Sequence, residues 1–199
     1  MKRLSSFLLA FIFSVLICSC SEDNSLGPVT TPDDEQSTSL SKHFIKLNFT
    51  GTESLDAVSD PSRVLDPGTI KFRGNKIIIT GFTILDDITV NIEGMGTMTG
   101  NTRIVINAVW NKDTYTGHTF GTFTKIFDGV EAWQGVFNGH RSKLNENEWM
   151  EDLKFRAVGL GDNEGMTMKG EGSLVSPMPI PLIFSGPIEG KIIIPNPPL

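Results

Sequence analysis

The chain is predicted to be all-β, an antiparallel β-barrel with a β-sandwich as the alternative, and three observations predict it. Apolar and polar residues alternate with period two in segment after segment from residue 45 to residue 194, the mark of half-buried strands. Turn pairs such as Gly74-Asn75 and Asp128-Gly129 stand between those segments as hairpin signals. Glycines fall between aromatic residues at the same period, as in Trp133-x-Gly135-x-Phe137-x-Gly139. On one strand face that spacing lets large rings lie over small neighbours, and it permits the bends that closing a small barrel requires.

The N-terminal elements are of another kind. Met1-Lys2-Arg3 is a short basic region, and Leu4 to Ile17 is an apolar run broken only by serines. A transmembrane helix needs about 20 apolar residues, so residues 1–19 read as a secretory signal peptide. Ile17-Cys18-Ser19-Cys20 resembles the bacterial lipobox, which implies that Cys20 is lipidated and becomes the first mature residue. Cys18 fits less well, because Ile17 occupies the position where a small residue is needed. By the same resemblance, Ser21 implies export to the outer membrane, and Glu22-Asp23 is similar to the acidic tag of surface-displayed lipoproteins. Residues 20–41 then form the anchor and a tether rich in Ser, Thr, Pro, Asp and Glu, too polar to offset its own ordering entropy. The expected partner of this part is a membrane, held through the N-terminal lipid.

The folded domain is expected over residues 42–199. Ile45, Leu47 and Phe49 mark a first strand. Asp60-Pro61-Ser62-Arg63 predicts a short helical turn with Asp60 as cap and Pro61 at its first position. Ile70 to Arg73 and Lys76 to Thr80 flank Gly74-Asn75 as a hairpin. Asp86-Asp87 reads as a turn before the strand Ile88, Val90, Ile92. Ile104, Ile106, Ala108 and Trp110 form the next face. Tyr115 to Phe127 and Val130 to Arg141 flank Asp128-Gly129. Leu144 to Leu160 fits a helix through Trp149, Leu153, Ala157 and Leu160, with Asn145 and Glu148 as a capping pair. It also fits a strand through Trp149, Leu153, Phe155 and Ala157, which is the preferred reading. Met166 to Val175 and Ile188 to Ile194 complete eight to ten strands. Pro195-Asn196-Pro197-Pro198 reads as a frayed extended tail.

Composition excludes several functions. The 199 residues carry 23 acidic and 17 basic side chains and only two cysteines. That argues against a nucleic-acid binder, which needs a basic footprint, and against a disulfide scaffold or a Cys-based zinc site. Without Lys2 and Arg3 the mature chain has 15 bases against 23 acids, and the tether holds five of those acids. The domain itself is therefore close to neutral, with 18 against 15. The dinucleotide, P-loop, nucleophile-elbow and zincin motifs are absent. Asp162-Asn163-Glu164-Gly165 lacks the alternating acids of a calcium loop and reads as a solvated turn. No metal and no cofactor is expected.

The strings GTFTKIF (residues 121–127), WQGVFNGH (133–140) and AVGLGDNEGMTMKGEG (157–172) resemble small bacterial β-barrels related in fold to allene oxide cyclase and dirigent proteins. The resemblance covers residues 90 to 195 and implies the fold. Members of that group handle hydrophobic or phenolic small molecules, but no defining catalytic residues match here.

Two functions follow. One is a tethered, non-enzymatic barrel that binds a small apolar ligand or an envelope partner, with Phe120, Phe123, Trp133, Phe137, Met166 and Met168 as candidate lining. The other is a barrel isomerase or lyase acting on a hydrophobic molecule. It needs an inward titratable group, sought at Glu93, His118, Glu131 and Lys169. His118 and His140 form a candidate polar site. A three-residue loop at Asp128-Gly129 would set them opposite each other, whereas a two-residue loop would pair His118 with Gly139 and turn them to opposite faces. Adjacent acids in a strand, Asp86-Asp87 or Glu151-Asp152, point to opposite faces and cannot act as carboxylate pairs.

Overall fold

The computed structural model describes residues 44–195. The expected signal peptide, Cys20, the expected tether, His43 and residues 196–199 lie outside the described residues. Ten strands are present among the described residues: β1 (Phe44–Asp56), β2 (Val64–Asp66), β3 (Thr69–Arg73), β4 (Lys76–Ile92), β5 (Gly96–Asn111), β6 (Gly117–Phe127), β7 (Val130–Lys143), β8 (Trp149–Gly159), β9 (Thr167–Ser176) and β10 (Ile183–Pro195). Every pairing is antiparallel, and successive strands from β4 to β10 are neighbours. β1 pairs with β10 along its whole length and, through Phe49–Ser54, with Asp87–Ile92 of β4. That double pairing closes an eight-strand barrel, which decides against the sandwich. β2 and β3 lie on the first half of β4, outside the closed circuit.

Two local readings need correction, and the choice left open at 144–160 falls to the preferred strand, β8. Asp86-Asp87 is not a turn: β4 runs straight through it, and the two acids pair with Thr102 and Asn101 of β5. Residues 144–160 contain no α-helix. Glu148 and Asn145 do bond to each other, but within the loop that joins β7 to β8. β10 starts at Ile183 rather than Ile188. The turn at Asp60 forms as expected, with Pro61–Arg63 as a single 3-10 turn and Asp60 accepting from the Ser62 amide at 3.2 Å.

The barrel interior is lined by alternate residues of the eight circuit strands, and glycine decides where the rings fit. Phe123 of β6 lies opposite Gly135 of β7, and Phe137 of β7 lies opposite Gly121 of β6. Phe155 of β8 lies opposite Gly170 of β9, and Phe49 of β1 opposite Gly190 of β10. The Phe155 ring centroid is then 5.9 Å from that of Phe123 and 6.2 Å from that of Phe49. Each ring occupies the volume its cross-strand glycine leaves free.

The hairpin between β6 and β7 settles the histidine register by a route that loop length does not reveal. Asp128 and Gly129, at φ 53° and 78°, form a two-residue turn of the kind that matches strand twist. Phe127 pairs with Val130 and Ile126 with Glu131, but Lys125 pairs with Trp133. Ala132 is thus an extra residue, a β-bulge. Beyond it His118 pairs with His140 after all.

The barrel has two ends. One carries both chain ends of the described domain and the connections at residues 93–95, 128–129 and 160–166. The other carries the connections at 57–75, 112–116, 144–148 and 177–182.

Candidate interior binding site

The histidine pair lies outside the barrel. His118 and His140 are exposed on the outer face, with ring centroids 5.5 Å apart. Asp152 follows on β8 opposite His140, and it accepts from the Ser173 hydroxyl at 2.7 Å. Among the described residues, no group of three or more His, Cys, Asp or Glu side chains is placed to hold a metal ion.

The lining candidates divide. Phe123, Trp133, Phe137, Met166 and Met168 face the interior, whereas Phe120 stands on the outer surface, 48% exposed. Phe120 has the parity of His118, and the inward rings of β6 are those at odd positions. The four titratable groups sought inside are all outside. Glu93 is exposed and accepts from the Asn48 side chain at 2.8 Å, Glu131 is exposed and pairs with Arg103, and His118 and Lys169 are exposed.

Five other charged side chains are inside: Glu53, Asp86, Lys125, Arg141 and Glu151. Each has the parity of an inward row. Lys125 sits between Phe123 and Phe127, Asp86 between Ile84 and Ile88, and Glu151 between Trp149 and Leu153. A charge at period two within a row of apolar residues is the signal that would have found them.

They form two clusters. In the first, the Lys125 ammonium is ion-paired with Glu53, and Glu53 also accepts from the Thr102 hydroxyl at 3.4 Å. Asp86, fully buried, accepts from the Thr102 amide at 3.1 Å through Oδ1, while its Oδ2 has no partner. Burial raises the Asp86 carboxyl well above its ordinary range, and the Glu53 charge adds to this. Lys125 and Thr102 oppose it only in part. Asp86 is therefore the acid of the cluster that burial holds toward its protonated form, beside the Glu53–Lys125 ion pair. The ammonium also lies 5.2 Å from the Phe123 ring centre and 5.6 Å from that of Phe155, a favourable place for a cation.

The second cluster stands at the end carrying the 177–182 loop. Arg141 donates to Glu151 at 3.5 Å, to the Met178 carbonyl at 3.0 Å and to the Pro179 carbonyl at 3.2 Å. Its guanidinium carbon lies 5.0 Å from the Trp110 ring centre and 5.9 Å from that of Trp149. Burial pushes the Glu151 carboxyl up, against the opposing pull of Thr119 and Arg141. Arg141 thereby ties the loop over the barrel mouth.

Two chambers lie inside the barrel, one on each side of Lys125. One, about 70 Å³, reaches from Glu53, Thr102 and Lys125 to Arg141 and Glu151. The other, about 130 Å³, lies toward the end with the chain termini and is walled by Phe49, Val90, Ile92, Phe127, Trp133 and the methionines 95, 98, 166 and 168, among others. Lys125 is the one residue that lines both.

No known protein family, curated protein or solved structure matches this chain. Its chemistry is thus read from these groups alone. The larger chamber presents a single charged side chain, Lys125, and that charge is already balanced by Glu53. Bringing in an anion would leave a buried excess of negative charge, which is costly. A neutral molecule with an apolar body and one polar atom fits without disturbing the pair.

The raised acid has a consequence for stability. Between the ordinary carboxyl value of 3.8 and the native value of Asp86, the folded state holds a proton that the unfolded state has released. That contribution to stability is present in acid and lost as pH rises through the window. Asp86→Asn keeps the acceptor for Thr102 and removes the titration. Its stability relative to the parent should therefore grow as pH rises above about 4, measured as urea midpoints across a pH series. A difference constant over that range would mean that Asp86 ionises normally in the native barrel.

Proposed function

We propose that the protein is a binding protein of the bacterial envelope, anchored through a lipid on Cys20, that holds one small, neutral, largely apolar molecule inside its barrel. The observation that carries this reading is the 130 Å³ chamber, apolar but for Lys125 and Asn163. An apolar cavity of roughly 150 Å³ accepts a benzene-sized molecule, so the ligand has on the order of six to ten non-hydrogen atoms. The lipobox and the polar tether supply the anchor, and Ser21 supports the outer membrane as its destination. Among the described residues no helix is long and apolar enough to cross a membrane.

A second reading, an isomerase or lyase, is favoured by the buried Glu53, Asp86 and Lys125. Between them they could move protons within an apolar pocket.

Native mass spectrometry of the full chain, extracted from its own membranes in mild detergent, tests the first reading. A reproducible bound molecule of the stated size is expected, and Cys20→Ser should carry the same molecule into the soluble fraction. A bare protein mass, together with failure to bind added benzyl alcohol, would reject the carrier. Continued pelleting of Cys20→Ser with membranes would reject the anchor.

A further inference from the structure

We infer that Lys125 captures small apolar aldehydes inside the barrel as a covalent imine, so that the chamber is a carbonyl-binding site. The inference rests on the small-ligand reading and names the ligand's reactive group. Its ground is the position of one amine. Lys125 is 3% exposed, lies between two chambers and lines both, and touches a carboxylate able to take its proton. Lysine amines held in apolar pockets are the side chains that form Schiff bases with carbonyl substrates.

The proton and charge balance suits this site. The Lys125 ammonium passes one proton to Glu53, and the freed amine adds to the carbonyl carbon, forming the C–N bond as the C=O π pair moves to oxygen. A proton moves from nitrogen to that oxygen, giving a carbinolamine. Glu53 then returns its proton to the hydroxyl, which leaves as water while the nitrogen lone pair forms the C=N bond. The net change is ammonium plus aldehyde to iminium plus water. No oxidant or reductant is needed. The iminium carries the same single positive charge as the ammonium, so Glu53 remains its counter-ion, and Phe123 and Phe155 still face a cation. A carboxylic acid offers no such balance, because its anion would compete with Glu53 for one ammonium. Four methionines line the larger chamber, and their flexible side chains can yield to an entering body.

The full chain is incubated with one equivalent of benzaldehyde and sodium cyanoborohydride, digested and mapped by mass spectrometry. Binding of benzyl alcohol, which has the shape but no carbonyl, is followed in parallel by native mass spectrometry. A benzyl group on Lys125, formed about tenfold or more faster than on exposed lysines such as Lys154 and Lys169, supports the inference. Lys125→Met should lose that adduct. The mapping of the unaltered chain decides the question even if the variant does not fold. Bound benzyl alcohol with label confined to exposed lysines would overturn the imine and leave the carrier intact. Failure of both molecules to bind would overturn the two together.

Discussion

Gly135→Ala should destabilise the barrel by about 3 kcal/mol, which with a typical urea dependence lowers the unfolding midpoint by about 1 M or more. The added Cβ would stand 2.3 Å from the Arg156 carbonyl oxygen, 2.6 Å from Cζ of Phe123 and 2.8 Å from Cβ of Ala157. The carbonyl belongs to a paired strand and cannot retreat without opening the β7–β8 ladder. The Phe123 ring cannot swing away, because Phe155 lies edge-on against it at 5.9 Å. Shortening the ring in a Phe123→Leu background should recover only the ring contact. A Gly135→Ala protein that unfolded at the parental urea concentration would show that this glycine is not the seat of the Phe123 ring.

Arg141→Ala is expected to cost about 3–5 kcal/mol, since it leaves Glu151 buried without its charge partner. It also removes the guanidinium beside the Trp110 and Trp149 rings, takes the donor from the Pro179 carbonyl and leaves the Met178 carbonyl with the Ser176 hydroxyl alone. Glu151, already raised by burial, takes up a proton and so limits the loss. The loop should become a site of rapid nicking in limited proteolysis under native conditions. Arg141→Lys should rescue little, because one ammonium cannot reproduce a planar fork held between two rings. Undiminished stability together with a protease-resistant loop would mean that Arg141 does not hold that end shut.

Much of this barrel is legible in the order of its residues. Period-two alternation locates the strands, Asp128-Gly129 locates its hairpin, and the Trp133, Gly135, Phe137, Gly139 series faces inward as its spacing requires. The errors have two causes. Alternation tells which residues share a face, but not where an extra residue swaps the faces. Ala132 is such a residue, and so is the irregularity between Ile79 and Phe82 that carries β4 past Gly81. Counting loop residues at Asp128-Gly129 therefore could not fix the partner of His118. The second source of error is chemical. Aspartate pairs favour turns, so Asp86-Asp87 looked like an interruption, when one acid is inside and the other outside. The inward charges run against the general tendency of charged residues to face water. Their parity with Phe123, Ile84 and Trp149 was visible throughout.

The closure of the barrel governs when the protein can fold. β1 is the first strand to emerge during synthesis, yet one of its two partners is the last: Phe44 pairs with Pro195 and Asp56 with Ile183. The circuit cannot close until nearly the whole chain is present, and the loop so formed is among the longest the chain allows. Joining such distant segments is what makes β-topologies slow, with folding on the order of milliseconds to seconds. A chain threaded across a membrane from its N-terminus would hold β1 against β4 with one edge open until β10 arrived. For a chain exported in this way, passage across the membrane would come before folding, and the order would be set by which two strands meet last.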